Sequence, residues 1–175
     1  MPIGQTHDRI TLWSLPVIAG CTFAFSRNST LTLLICGAFL FSGLMFGPDL
    51  DIYSRQFKRW GWLRWIWLPY QKSIRHRSFL SHGPVIGTTL RLAYLGIWLL
   101  LGVLGLSFVA QLWDLRWSWQ VIIKQIERSL NQYQTEWLMV WLGLELGAMS
   151  HSLSDWVGSF YKRQLRRTKN SKSKT

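Results

Sequence analysis

Four histidines, and the carboxylates close to them, are the residues through which this chain can do chemistry. His76 and His82 sit within Arg75-His76-Arg77-Ser78-Phe79-Leu80-Ser81-His82-Gly83-Pro84. His7 is followed directly by Asp8, and His151 stands one helical turn before Asp155. Gly47-Pro48-Asp49-Leu50-Asp51 ends an apolar run with two carboxylates two residues apart. Imidazole and carboxylate are donor types that divalent transition metals share. Residues at i and i+4 of a helix point the same way, so His151 and Asp155 suit two ligands, or a ligand and the carboxylate that orients it. The expected metal ligands are His7, Asp49, Asp51, His76, His82, His151 and Asp155. Consecutive side chains seldom bind one ion together, so Asp8 is expected to be the catalytic proton-transfer group beside the metal. The donor set exceeds what one tetrahedral zinc takes, which leaves room for two ions, and Zn, Mn and Fe all accept mixed nitrogen and oxygen donors. A thiolate site is not expected. Cys21 and Cys36 are the only cysteines and form no Cys-x-x-Cys pair. Small buried apolar roles are expected for both, with a disulfide between them as the alternative.

These residues need elements that bring them together, and the distribution of apolar residues supplies them. The chain of 175 residues fits one domain, and its 49% apolar content is ordinary. The apolar residues nevertheless collect in long runs, with the charged residues pushed into the gaps. Ile10 to Phe25 is barely long enough to cross a bilayer core. A cleaved signal is not expected there, since Asp8 offsets Arg9 and a second apolar run follows. Arg27-Asn28-Ser29 makes a tight turn into Leu31 to Phe46. Gly47-Pro48 ends that second helix, because proline biases its predecessor away from helix. Val85 to Ala110 is the strongest span, with Gly83 as cap and Pro84 in the first turn. Arg91 lies about two turns in and is expected to snorkel to the interface. Val121, Ile122, Ile126 and Leu130 then fall at helical spacing, with Lys124, Glu127 and Arg128 off that stripe, as in an amphipathic surface helix.

Trp137 to Val157 is the expected last helix. Gly143, Gly147, Ser150 and Ser154 give it a small-residue face for close packing, and Glu145, His151 and Asp155 direct it to the protein interior. The predicted fold is all-α: a multi-pass helical membrane protein with about four membrane helices plus an interfacial amphipathic helix. Residues 1–160 form the membrane domain, and 161–175 a basic disordered tail. Within 52–74, Trp60, Trp62, Trp65 and Trp67 interleave with Arg59 and Arg64, which reads as an interfacial anchor. Such interleaving also suits single-stranded nucleic acid, but beside membrane spans no nucleic acid partner is expected.

Sidedness ties the pieces together. With four spans, the N-terminus, the 49–84 loop and the tail share one side and carry fifteen of the 20 Lys and Arg residues. The opposite side carries four: Arg27, Arg116, Lys124 and Arg128. The positive-inside rule then puts both termini in the cytoplasm. That assignment uses no histidine, yet it brings all four histidines and their carboxylates to one face. The tail is expected to meet anionic lipid headgroups.

Thr6-His7-Asp8-Arg9, Gly47-Pro48-Asp49-Leu50-Asp51, His76 with Ser81-His82-Gly83, and His151 with Asp155 resemble the motifs of a bacterial family of uncharacterised metal-binding integral membrane proteins. The resemblance covers most of residues 1–160 and implies a multi-pass protein of the bacterial inner membrane. More distantly, the chain is similar to membrane-bound metal-dependent hydrolases, which carry Pro-Asp-x-Asp, His-Arg…Ser-His and His-x-x-x-Asp patterns. The 52–74 insertion departs from that pattern. Two functions remain. One is a metal-dependent hydrolase at the cytoplasmic membrane face, acting on a phosphoester, with Arg75 and Arg77 able to hold phosphate. The other is a non-catalytic protein whose metal staples the helices for assembly or partner binding. A transporter fits less well, because Glu145 and Arg91 are the only ionisable groups well inside the runs.

Overall fold

A computed structural model of the chain describes residues 4–113 and 118–172, with residues 162 and 165–172 described by backbone alone. Among the described residues every regular element is helical. α1 spans Gly4–Ser26 and α2 spans Ser29–Leu44. Asn28 caps α2 by accepting from the Leu31 N–H at 3.1 Å, so the turn predicted at 27–29 is a helix start signal as well. After Gly47 the chain makes one 3-10 turn, Pro48–Asp51, which carries both expected carboxylates. Short pieces follow: α3 (Arg55–Arg59), a 3-10 stretch (Gly61–Trp67), α4 (Leu68–Ser73) and α5 (Phe79–His82). Three longer helices complete the chain: α6 (Ile86–Leu112), α7 (Trp119–Gln132) and α8 (Gln134–Lys172).

α8 packs along α2, and the small-residue face decides how closely. A Cβ on Gly143 would lie 2.5 Å from the Ile35 carbonyl oxygen, and one on Gly147 2.6 Å from that of Phe39. Only glycine lets the two backbones approach this far. The buried Ser42 hydroxyl donates to the Leu144 carbonyl at 2.6 Å and fixes the register. α1 lies beside this pair.

Several expectations change. Among the described residues three stretches are long and apolar enough to cross a membrane, Gly4–Ser26, Ser29–Asp51 and Ile86–Leu112, rather than about four. The fourth expected span lies inside α8, whose Glu145, His151 and Asp155 are buried against neighbouring helices. The backbone of α8 also continues as helix to Lys172, through most of the stretch expected as a disordered tail. That stretch has no glycine or proline and is rich in Lys and Arg, both good helix formers. Arg91 does not reach outward. It is fully buried and donates to the Ser81 carbonyl at 2.9 Å and to Thr88 Oγ1 at 3.0 Å. Cys21 is exposed and Cys36 half-buried, both as free thiols, so neither is the buried residue expected. Of the rim residues expected around 113–119, Trp117 and Arg116 lie outside the described residues.

The Trp/Arg insertion is divided between two roles. Trp62 and Trp65 are exposed, as an interfacial anchor would be. Trp67, by contrast, is fully buried and sits edge-on to Phe46, Trp60 and Tyr70. With Leu50, Phe57 and Ile66 these rings form the hydrophobic core under the Pro48–Asp51 turn. Tyr94 of α6 donates to the Ile66 carbonyl. The Gln71 amide donates to the carbonyls of Leu50 and Ile52 at 3.1 and 2.9 Å. The insertion therefore clamps the loop that bears Asp49 and Asp51.

Candidate metal centre

Each sequence motif contributes from a different element. α1 supplies His7, the 3-10 turn supplies Asp49 and Asp51, the α4–α5 loop supplies His76, α5 supplies His82 and α8 supplies His151 and Asp155. All seven expected ligands meet at one end of the bundle. Asp49, His82, His151 and Asp155 each offer a donor atom, and these atoms lie within 4.8 Å of one another. Asp51, His76 and His82 form a second such group, so His82 belongs to both. His7 stacks on His151 with ring centroids 4.0 Å apart, and its Nε2 lies 3.2 Å from Asp155 Oδ1.

The hydrogen bonds define what the rings present. Ser154 Oγ donates to the His151 carbonyl at 2.8 Å and lies 2.6 Å from His7 Nδ1, which ties the His7 ring to α8. Ser81 Oγ lies 2.8 Å from His82 Nδ1 and 3.2 Å from the Ser78 carbonyl, so this hydroxyl holds the His82 ring in place. His76 Nδ1 donates to Asp51 Oδ1 at 2.9 Å. Nδ1 of each ring is thus held by a neighbouring group, and in His76 and His82 the Nε2 edge points inward. Anchoring one nitrogen to a carboxylate or hydroxyl is how proteins orient a histidine for metal.

Those inward atoms have no partner within the protein. His76 Nε2, His82 Nε2, both nitrogens of His151 and Asp51 Oδ2 are buried without a hydrogen bond. Some lie close to a carboxylate all the same: His151 Nε2 is 3.3 Å from Asp49 Oδ2, and His82 Nε2 is 3.9 Å from Asp49 Oδ1. A buried polar group without a partner costs about 1–3 kcal/mol, so several in one place require an explanation. A cation between them supplies it. Two donors bound about 2.1 Å from a tetrahedral zinc stand about 3.4 Å apart, close to the spacing seen. The residues present fit a divalent transition metal.

Burial pushes the His82 imidazole below its ordinary value of 6.5, against the pull of Asp51 and Asp49. The ring is neutral at pH 7 and available as a ligand. Its 3.9 Å approaches to both carboxylates are therefore not ion pairs.

Supports surround the cluster. Arg91 holds the Ser81 carbonyl and with it the end of α5. Val85 has a positive φ of 64°, and its N–H donates to Glu145 Oε1 at 2.9 Å. α6 thus begins at Ile86, with Val85 as its cap and Gly83 ending α5, one step later than the Gly83-Pro84 start expected. Asp8, expected to move protons, has both oxygens taken up by guanidinium groups. Arg55 donates at 2.9 Å, and Arg59 at 2.9 and 2.7 Å. Asp8 fastens α1 to α3. The residues that sequence reasoning missed are Ser81 and Ser154, which hold the His82 and His7 rings. Their signal was present, since Ser81 adjoins His82 and Ser154 lies one turn from His151.

Fold and site together define an all-helical protein with an interior cluster of imidazoles and carboxylates. The chain belongs to the family described as "Uncharacterized metal-binding protein (DUF2227)", whose family model matches residues 2–165. It is also similar to an uncharacterized protein of Aquifex aeolicus (strain VF5), at 36% identity over 58 residues, which are 33% of this chain and 40% of that protein. The match therefore spans less than half the length of that relative. No solved structure matches.

Proposed function

We propose that this chain is a membrane protein that holds one or two divalent transition-metal ions, Zn, Mn or Fe, at one end of its helical bundle. The observation that carries this reading is the set of inward ring nitrogens that lack partners while Nδ1 of three rings is anchored. His7, Asp49, Asp51, His76, His82, His151 and Asp155 are the ligands it assigns. The membrane part rests on the three apolar stretches and on what they expose. Trp13, Val17 and Phe25 on α1, and Leu99, Leu106 and Phe108 on α6, all face outward. Contiguous apolar surface of this kind marks contact with lipid or a partner. The basic-residue bias then orients the metal end toward the cytoplasm of a bacterial inner membrane, and α8, packed along α2, carries the chain back so that both termini share that side.

A hydrolytic role is the second reading, favoured by one observation. His82 and Asp155 both line an open cleft of about 250 Å³, so water and a substrate can reach the cluster. When bound, the ion would polarise a substrate oxygen and lower the pKa of its water toward about 7. The chain's own residues hold and orient: Ser81 and Ser154 fix the rings, and Arg91 fixes α5. The alternative is a metal that staples α1, the Pro48–Asp51 turn, α5 and α8.

Metal analysis of detergent-purified protein, prepared without chelator, tests the first reading. Wild type is expected to carry a transition metal that His82→Ala lacks. Wild type free of metal would overturn it. Turnover of phosphomonoesters or phosphodiesters in mixed micelles, above the His82→Ala control, separates catalysis from stapling.

A further inference from the structure

The cleft over His82 and Asp155 has walls that the metal reading does not use. On α8, Ser152, Asp155, Trp156, Ser159 and Arg163 recur at helical spacing and share one side. Arg77 faces them from the α4–α5 loop, with Nη2 3.5 Å from Asp155 Oδ2. The cavity between, about 250 Å³, has room for about eight waters at their share of liquid volume. Two guanidinium groups and the hydroxyl residues Ser152 and Ser159 thus line a space that ends on two proposed metal ligands.

The conformation of Arg77 is a second observation. Its φ of 60° lies in the left-handed region that non-glycine residues avoid. Non-glycine residues held there cluster at ligand clamps. Arg75 also lies in this loop but does not line the cleft, which separates two arginines that the sequence left equivalent. Arg77 Nη2 stands 3.5 Å from Asp155 Oδ2, longer than the short contacts of a bidentate carboxylate pair. The fork retains donors for a further anion.

We infer that this cleft binds a phosphate group, with Arg77 and Arg163 gripping its non-bridging oxygens above His82 and Asp155. The planar fork of arginine matches tetrahedral oxyanions, and a cation on the cluster would complete the third side. The inference rests on the metal reading to that extent. Free phosphate and a phosphate-bearing lipid headgroup share this chemistry.

Calorimetric titration of inorganic phosphate into metal-loaded, full-length protein in detergent tests it, with metal content measured on every sample. Wild type is expected to bind phosphate. Arg77→Gln and Arg163→Gln are expected to weaken binding by about ten- to a hundredfold while retaining metal. Arg163 is exposed, so its variant keeps the test sound if the strained loop of Arg77→Gln misfolds. Arg75→Gln serves as the charge control and is expected to bind as wild type does. A parallel arm with nanodiscs containing or lacking phosphatidate identifies the source: competition by phosphatidate assigns the site to a lipid headgroup, and its absence to a soluble phosphate. Metal-loaded wild type that binds no phosphate, or Arg77→Gln and Arg163→Gln variants that bind as tightly as wild type, would overturn the inference and leave the metal reading intact. Loss of metal from wild type itself would overturn the metal reading instead.

Discussion

At one end of the bundle four histidines and three aspartates from five elements crowd together, several of their polar atoms buried without partners. At the other end α7 buries no residue at all, although Ile123, Ile126 and Leu130 give it an apolar stripe. The helices between are common to both. What differs is where polar groups are forced out of water. A protein selected only for stability would satisfy or remove buried donors and acceptors. Their concentration at one end marks that end as functional. The exposed stripe of α7 and the exposed Trp113 and Trp137 beside it suit an interface with headgroups.

The largest effect should come from emptying the crowded end. Chelator is expected to lower the melting temperature of wild type and to leave His151→Ala nearly unmoved. Bound metal at a thousand times its Kd contributes about 4 kcal/mol. Equal chelator responses in the two proteins would remove the contrast between the ends.

Next comes the packing that carries α8 to the site. Gly147→Val would set its side chain against the Phe39 carbonyl and Ser42, one turn from His151. Overpacking of this kind costs about 1–3 kcal/mol. Reduced stability together with reduced metal content is the expected result in denaturation and metal assays. Stability loss with full metal content would show that the α2–α8 contact does not position His151.

The pH dependence sharpens the comparison further. Because the folded His82 pKa lies below its ordinary 6.5, the fold favours the neutral ring. That stabilisation is complete above 6.5 and is lost as pH falls through the folded value. Metal-free protein should therefore lose stability, and loaded protein release metal, as pH drops below about 6.5. The His82→Ala variant should show a flatter profile in the same range.

Asp8→Asn should have a smaller effect. Its partners Arg55 and Arg59 are substantially solvated, so breaking the pairs costs below about 1 kcal/mol. Metal content should stay at the wild-type level. The smallest effect belongs to the far end: Ile126→Ser should leave metal content and chelator response unchanged and weaken only lipid association, measured by vesicle flotation.

The sequence by itself determined the helical class, the hairpin turn at Asn28, the helix end at Gly47-Pro48 and the small-residue face of α8. It also nominated the seven ligands. Each of these depends on local spacing, on capping or on residue type, and such signals survive in one dimension. Long-range packing decided the rest. Whether Trp67 is an anchor or a core residue depends on Phe46, Tyr70 and Tyr94 closing around it, and no neighbour in sequence indicates that. Arg91 looked like a snorkelling residue because its partner, the Ser81 carbonyl, is a backbone group with no sequence signature. Asp8 stood next to His7 in the chain, yet successive side chains on a helix diverge, and the guanidinium groups of α3 took its carboxylate. The placement of the His7 and His82 rings followed from two serine hydroxyls, one of them on a helix 147 residues further along the chain. Such a contact exists only once α1 and α8 have packed together.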